Sequence, residues 1–452
     1  MSHSSYLLSS KGEAVIVDPQ RDVDDYLAMV DERKLKLKYI FETHLHADFV
    51  SGHLELSKKS GAEIVFGHKA GVKFDHVSVR EDDILTIGNS EIRILETPGH
   101  TPEGICYVGK DLSDPEAPLI VFTGDTLFAG DVGRPDLMDE IISVDELGRQ
   151  LYHSLREKLM ILPDSTKVYP AHGAGSSCGR ALLDVEFTTI GTEKATNYAL
   201  QEMDVETFIE MVGNDQPIPP SYFQRSAILN KQGLIDVQKI VDNLQEFDVD
   251  YIETSLTDHE VSILDVRHHE IFAESYIPGS YNIGLNGRYA EWIGSIIDPS
   301  KKIILIADPG TENEAAMRAG RVGYDNVIGY LKGGFDVWED SGKLVSSLEQ
   351  IDLQGITSFD PNIKYIVLDV RRISEFREKH VEDAKNIPLV TLQENLDQLS
   401  KSDKIIVHCQ SGYRSTIAAS ILAKEGFENV LNLKDGIAGL IKGGYEKIHL
   451  HN

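Results

Sequence analysis

The chain has 452 residues, enough at about 150 residues per domain for roughly three domains. With 44 Lys+Arg against 73 Asp+Glu its formal charge is −29. A surface of that sign repels phosphate backbones and anionic headgroups, which argues against nucleic-acid and membrane partners. No apolar run approaches the roughly 18 residues of a bilayer-spanning helix. The opening MSHSSYLLSSKGEAVIV lacks a basic stretch followed by an apolar one, so no signal peptide is read there. Cys106, Cys178 and Cys409 lie far apart, which excludes a disulfide framework. The expectation is a reduced, cytoplasmic, multidomain α/β protein.

Residues 1–240 form the first expected domain. Strand-like runs alternate there with helical stretches: Ala14–Val17, Tyr39–Glu42, Glu63–Phe66, Ile92–Glu96, Leu119–Phe122 and Lys167–Tyr169. Four of these runs end in a loop carrying His or Asp. They are Thr43-His44-Leu45-His46-Ala47-Asp48, Thr97-Pro98-Gly99-His100-Thr101, Gly124-Asp125-Thr126-Leu127 and Ala171-His172-Gly173. A lone His is usually a satisfied polar side chain, but four such motifs at strand ends point to metal ligation. Cys106 sits in an apolar run and reads as core, and His53 and His68 as ordinary. The Pro-rich Asn214–Pro220 leads into an amphipathic stretch and marks a linker there or shortly after.

An internal repeat follows. Ile263–Arg267 (ILDVR) matches Leu368–Arg371 (LDVR), and an Asn-Ile pair stands fifteen residues beyond each Arg, at Asn282 and Asn386. Gly323–Val327 matches Gly426–Val430, and Leu331–Gly334 matches Leu433–Gly436. A period slightly over 100 residues means two copies of one small domain, expected at 250–347 and 352–452. Each alternates short buried strands with helices, the pattern of a parallel sheet wrapped by helices.

In the second copy Cys409 ends a buried strand, and Gln410-Ser411-Gly412-Tyr413-Arg414 leads into a helical stretch. Such a loop turns successive N–H groups inward as an anion nest, and the helix N-terminus adds partial positive charge. A thiolate is favoured in that cradle. In the first copy the corresponding position is Asp308, in a loop without thiol or Arg, two residues shorter and carrying Pro309, Glu312 and Glu314. That copy is expected to be catalytically dead.

The Cys409–Arg414 loop resembles the rhodanese family of sulfurtransferases. The resemblance implies a persulfide carried on Cys409, Arg414 as a catalytic partner, and Gln410, Ser411, Gly412 and Tyr413 around the substrate. Related phosphatases use Cys-x5-Arg; the tighter Cys-x4-Arg here suits a single sulfur anion. The N-terminal motifs resemble the metallo-β-lactamase superfamily, an αββα sandwich holding metal between two sheets. In glyoxalase II-type hydrolases the first motif is His-x-His-x-Asp-His and supports two metals. Here Phe49 follows Asp48, which favours the persulfide dioxygenase branch. That resemblance implies one non-haem Fe(II) on His44, His100 and Asp125, with O2 as co-substrate. Two His and one carboxylate leave iron open positions for substrate. His46, Asp48 and His172 are then expected to orient the ligands or hold water. Arg134, in Gly130–Asp136, is read either as a grip on an anionic substrate or as a structural ion pair. Cys178, in Gly173–Arg180, is expected to accept or gate persulfide sulfur.

Nearly the whole chain resembles fusions of a persulfide dioxygenase with one degenerate and one active rhodanese. Such domains often begin with an extra strand before the SHSSYLL stretch, so the chain is expected to begin late. The implied reaction oxidises a small thiol persulfide to sulfite and thiol, and Cys409 then passes sulfur to sulfite, giving thiosulfate and removing reactive sulfide species. A homodimer or homotetramer is expected from the resemblance alone. Two alternatives remain: a glyoxalase II-like thioester hydrolase with an appended sulfurtransferase, and a sulfur-carrier protein whose N-terminal domain only docks a partner.

Overall fold

Two compact units divide the chain in a computed structural model: residues 1–237 with 321–323, and residues 238–320 with 324–452. The structure describes residues 2–137, 142–180, 182–214, 216–234, 237–358 and 365–450; residue 215 of the Pro-rich segment and residues 451–452 of the last expected domain lie outside the described residues.

In the first unit, β1 (Tyr6–Ser10), β2 (Glu13–Val17), β3 (Lys36–Phe41), β4 (Glu63–Gly67) and β5 (Val77–Val79) form one sheet in that order. β6 (Ile84–Ile87), β7 (Ser90–Glu96), β8 (Ile105–Asp111), β9 (Ile120–Gly124), β10 (Lys167–Pro170) and β11 (Thr188–Thr189) form the second, ordered β11-β10-β9-β8-β7-β6. The period-2 alternation of strands explains the layering. Val15 and Val17 of β2, Ile92 and Ile94 of β7, and Ile105 and Tyr107 of β8 share the core between the sheets. Ala14 and Ile16 face the core that also holds Val30 and Leu56 of the helices Asp24–Glu32 and His53–Ser60. Leu95, Cys106 and Val108 face the core with Leu151, Phe208 and Val212, from helices Val144–His153 and Val205–Gly213. The result is an αββα sandwich, with Cys106 in its core.

The first unit extends past the Pro-rich segment to Val237 because helix Phe223–Gln232 is tied into it. Asn230 donates to the carbonyls of His46 and Phe49 (both 2.8 Å) and accepts from the Ser51 amide.

The second unit contains both repeats. β12 (Gln245–Phe247), β13 (Val261–Asp265), β14 (Tyr281–Asn282), β15 (Lys302–Ile306) and β16 (Val327–Leu331) form a parallel sheet ordered β12-β16-β15-β13-β14. The next repeat has β17 (Glu349–Ile351), β18 (Tyr365–Asp369), β19 (Lys379–Val381), β20 (Lys385–Asn386), β21 (Lys404–His408), β22 (Val430–Leu433) and β23 (Ile448–Leu450). Its sheet, β17-β22-β21-β18-β20, repeats the same topology, while β19 and β23 pair separately. The central strands β15 and β21 are Ile-rich and buried on both faces, as helix-covered parallel strands must be.

Candidate metal centre and thiol site

The ends of β3, β7, β9 and β10 deliver Thr43–Asp48, Thr97–His100, Asp125 and His172 to one place. His44, His100 and Asp125 are buried, and one ligand atom from each lies within 4.8 Å of the others. Asp125 Oδ2 is 3.4 Å from His100 Nε2 and 3.8 Å from His44 Nε2. Gly124 makes this approach possible: its φ is +52°, and a Cβ there would overlap Thr43. The Nδ1–H of His100 donates to the Arg134 carbonyl (2.9 Å), which leaves Nε2 with its lone pair toward Asp125. Thr43 Oγ1 lies 2.9 Å from His44 Nδ1 and donates to Asp18 (2.9 Å), which fixes the His44 ring.

Burial pushes His100 down to about 4, partly offset by its bond to the Arg134 carbonyl. His44 is held well below its usual value by burial and by neighbouring histidines. Asp125 is pushed well above the carboxylate range by burial, then by the charge of Asp48. Both Asp125 oxygens, Asp48 Oδ1 and His172 Nε2 are buried without a hydrogen-bond partner. Neutral imidazoles with free nitrogens around a buried, unbonded carboxylate fit a divalent cation, which would supply the missing interaction. Two His and one carboxylate on one side match the donor set of non-haem iron.

His46, Asp48 and His172 stand behind this triad. His172 Nε2 is 3.5 Å from Asp125 and 3.7 Å from Asp48, and His46 Nε2 is 3.2 Å from Asp18. Arg134 is buried and holds Asp136 through two 2.6 Å bonds, with a third bond to the Ser177 carbonyl. Burial, then the charges of Asp125 and Asp48, push the Cys178 thiol well above its usual value. His53 binds Glu42 and His68 pairs with Glu96, both at 3.0 Å.

Sequence reasoning missed His3, Asp18 and Glu42. His3 joins His46 and His172 in a second cluster, brought there by the bridge between residues 3 and 172. No local pattern signals a pairing 169 positions apart in the chain.

In the second unit Cys409 is buried where β21 ends, and the Gly412 amide donates to its Sγ (3.2 Å). The 12-residue helix Tyr413–Lys424 starts at this loop, so its N-terminal partial charge faces the sulfur. Arg414 forms a bidentate pair with Glu375 (2.6 and 2.8 Å). A cavity of about 440 Å³ opens over Cys409, lined on this side by Gln410, Ser411, Tyr413 and Arg414. Gly412 contributes its amide rather than a wall. The Tyr413 hydroxyl donates to the Gly284 carbonyl of the central repeat (2.8 Å). In that repeat the Gly310 amide donates to the Glu312 carboxylate (2.8 Å), so the loop answers its own N–H group with its own anion.

Fold and site together define a sandwich of the metallo-β-lactamase type with a two-histidine, one-aspartate centre, joined to tandem thiol-loop domains. The metallo-beta-lactamase superfamily profile matches residues 1–172, and the rhodanese-like domain profile matches 248–341 and 357–442. The mitochondrial persulfide dioxygenase ETHE1 of Mus musculus is 30% identical over 214 residues, 46% of this chain and 76% of that one. A hydroxyacylglutathione hydrolase of Pelagibacter ubique is 33% identical over 172 residues, 37% of this chain and 65% of that one. A solved metallo-beta-lactamase from Staphylococcus aureus superposes with a TM-score of 0.65 at 32% identity, covering 73% of this chain and 95% of that one. The chain belongs to the persulfide dioxygenase family of the metallo-β-lactamase superfamily, extended by two rhodanese-like domains. Among the described residues no helix is long and apolar enough to cross a membrane.

Proposed function

We propose that the first unit is an iron-dependent persulfide dioxygenase, and that Cys409 is a rhodanese-type sulfur carrier using its product. The convergence of His44, His100 and Asp125 between the two sheets carries this reading. Iron, when bound there, supplies the redox chemistry by which O2 oxidises the outer sulfur of a small thiol persulfide to sulfite. The chain's own residues prepare the place for it. The Arg134 carbonyl holds the His100 proton on Nδ1, Thr43 and Asp18 hold His44, and Gly124 lets Asp125 approach. Arg134, occupied by Asp136, acts as a positioning residue through that carbonyl rather than as a substrate grip. Cys178 faces two carboxylates and keeps its proton, so it borders the path of the persulfide as a gate and not as a nucleophile.

At the second site Cys409 attacks the outer sulfur of a persulfide, the S–S bond breaks, and the carrier leaves as a thiolate. The Gly412 amide and the helix N-terminus stabilise the resulting sulfur anion. Sulfite then takes that sulfur as thiosulfate.

A thioester hydrolase with metal-activated water is the second reading, favoured by the hydrolase relatives and by Asp48 and His172 beside Asp125. Phe49, where such hydrolases carry a His, speaks against it. Metal content and O2 uptake, measured together on anaerobically purified chain given glutathione persulfide, separate the two. One iron per chain with persulfide-dependent O2 uptake is expected. Two zincs with thioester turnover and no O2 uptake would move the first unit to the hydrolases.

A further inference from the structure

The cavity over Cys409 has a second wall, and it belongs to the repeat that has no thiol. His269, Asn286 and Trp292 of the central repeat line it together with the Cys409 loop. Both repeats lie in one compact unit, and the packing between them is close. Besides the Tyr413 bond, the Asn282 amide donates to Ser420 (3.1 Å) and Lys424 donates to the Gly279 carbonyl (2.6 Å). A Cβ at Gly287 would overlap the Tyr413 ring, so glycine is what lets this loop close on the catalytic helix. Arg318 holds the same loop, donating to the carbonyls of Leu285 (2.7 Å) and Gly287 (3.3 Å). The wall is therefore fixed in place relative to the thiol.

Within this wall His269 stands against the anion loop itself. Its Nε2 lies 3.4 Å from the position that a Cβ on Gly412 would take, and the Gly412 amide is the group that donates to Cys409 Sγ. The ring meets that of Tyr413 edge to face, with centroids 5.8 Å apart. Nδ1 is buried and has no hydrogen-bond partner among the described residues. A buried N–H without an acceptor is tolerated less well than a bare lone pair, so the neutral ring keeps its proton on Nε2, the edge turned to Gly412. Burial, then the charge of His268, lower the His269 pKa against the pull of Glu270, so the ring is neutral above pH 7. Arg288, Arg372, Arg414 and Glu375 are the other charged groups lining the cavity. His268 caps the helix His269–Glu274, accepting from the Glu270 amide (3.3 Å), so His269 is left without a local task.

We infer that His269 is a catalytic residue of the Cys409 site, supplied by the repeat that lacks the thiol, and that its Nε2–H donates to the outer sulfur of the Cys409 persulfide. The inference rests on the sulfur-carrier reading of Cys409. A persulfide carries its outer sulfur about 2 Å beyond Sγ, the length of an S–S bond. The charge of Cys409–S–S⁻ sits on that outer atom, whereas the Gly412 amide serves Sγ. His269 stands beside this amide and lines the space the outer sulfur enters. In the step served, Cys409–S⁻ attacks the outer sulfur of thiosulfate. One S–S bond forms, one breaks, and Cys409–S–S⁻ and sulfite result, with no net oxidation and no proton moved. The same donor serves the reverse step, in which sulfite takes the sulfur. The loss of the thiol in the central repeat and the retention of its wall then have one explanation: the repeat completes the site of its neighbour.

The test uses the full chain without O2 at pH 8, equilibrated with set ratios of thiosulfate to sulfite. Peptide mass mapping reads the fraction of Cys409 that carries an extra sulfur. His269→Phe keeps an aromatic ring and removes the donor. It is expected to need about tenfold more thiosulfate relative to sulfite for half loading, the loss of one hydrogen bond to a charged group. His269→Gln, which offers an amide N–H, should recover part of that loss. In sulfur-free chain the rate of iodoacetamide labelling at Cys409 reports the thiolate at Sγ, and it should change less than about twofold in both variants. An unchanged loading ratio in His269→Phe overturns the inference. A parallel loss of iodoacetamide reactivity overturns it too, because His269 would then shape the loop rather than bond the outer sulfur. Wild-type chain that takes no sulfur from thiosulfate would overturn the Cys409 reading itself, a different result from insensitivity to His269.

Discussion

A buried carboxylate with neither oxygen hydrogen-bonded is costly to hold, and Asp125 is held that way. Its charge is a liability in the metal-free chain and an asset once a cation sits beside it. Asp125→Asn is therefore expected to lower bound iron from about one per chain to nearly none, with O2 uptake lost. The same change should not lower the urea midpoint of the metal-free protein; a clear drop would make Asp125 a structural residue instead. The three thiols should also separate chemically. Burial pushes Cys106 up to about 11, so its thiolate appears only as pH rises towards that value. Iodoacetamide at pH 8 is expected to label Cys409, which opens on the cavity, and to spare Cys106 and Cys178; peptide mass mapping reads the order. The proposed ligands His44, His100 and Asp125 and the proposed nucleophile Cys409 were legible because each follows a strand within a short motif. His3 and Asn230 were not. Their places depend on contacts with residues 172 and 46, which no local periodicity encodes.

The same division runs through the elements. The LDVR repeat was visible as letters, and its physical content is a buried chelate made twice. Arg267 holds Asp265, and Arg371 holds Asp369, each through Nε at 3.0 Å and Nη2 at 2.6 Å. Asn282 and Asn386 each bridge the two carbonyls of their own Asp and Arg, at 2.9–3.2 Å, which explains the fixed fifteen-residue spacing. The two-residue strands β14 and β20 carry these asparagines. They are too short for a period-2 pattern and so were not readable beforehand. Removing one partner of a buried pair leaves an uncompensated charge, at about 3–5 kcal/mol. Arg371→Ala and Arg267→Ala are each expected to cost that much in denaturant titrations of the second unit's unfolding. Lys332→Ala, which breaks an exposed pair with Glu246 in the same unit, should leave that unfolding midpoint nearly unchanged. Equal losses for buried and exposed pairs would remove the chelate from its structural role.

At the scale of the whole molecule, the anionic persulfide and sulfite proposed as substrates would meet a chain of net charge −29, so attraction must be local. Exposed charges are screened beyond about 8 Å at physiological ionic strength, which lets three arginines at one cavity act inside an acidic surface. The proposed products make the argument testable as a balance. Oxidation of R–S–SH by O2 with one water gives R–SH, sulfite and two protons, one sulfite for each O2. Transfer from Cys409–S–S⁻ to sulfite gives Cys409–S⁻ and thiosulfate, with no O2 consumed. Wild-type chain given persulfide and O2 should therefore accumulate thiosulfate. Cys409→Ser should keep the O2 uptake rate and release sulfite in a one-to-one ratio with O2, its thiosulfate falling to the uncatalysed level. Asp125→Asn should show the converse, making thiosulfate only when sulfite is added. A Cys409→Ser chain with the wild-type product ratio would uncouple the two units and leave them as separate enzymes that share a chain.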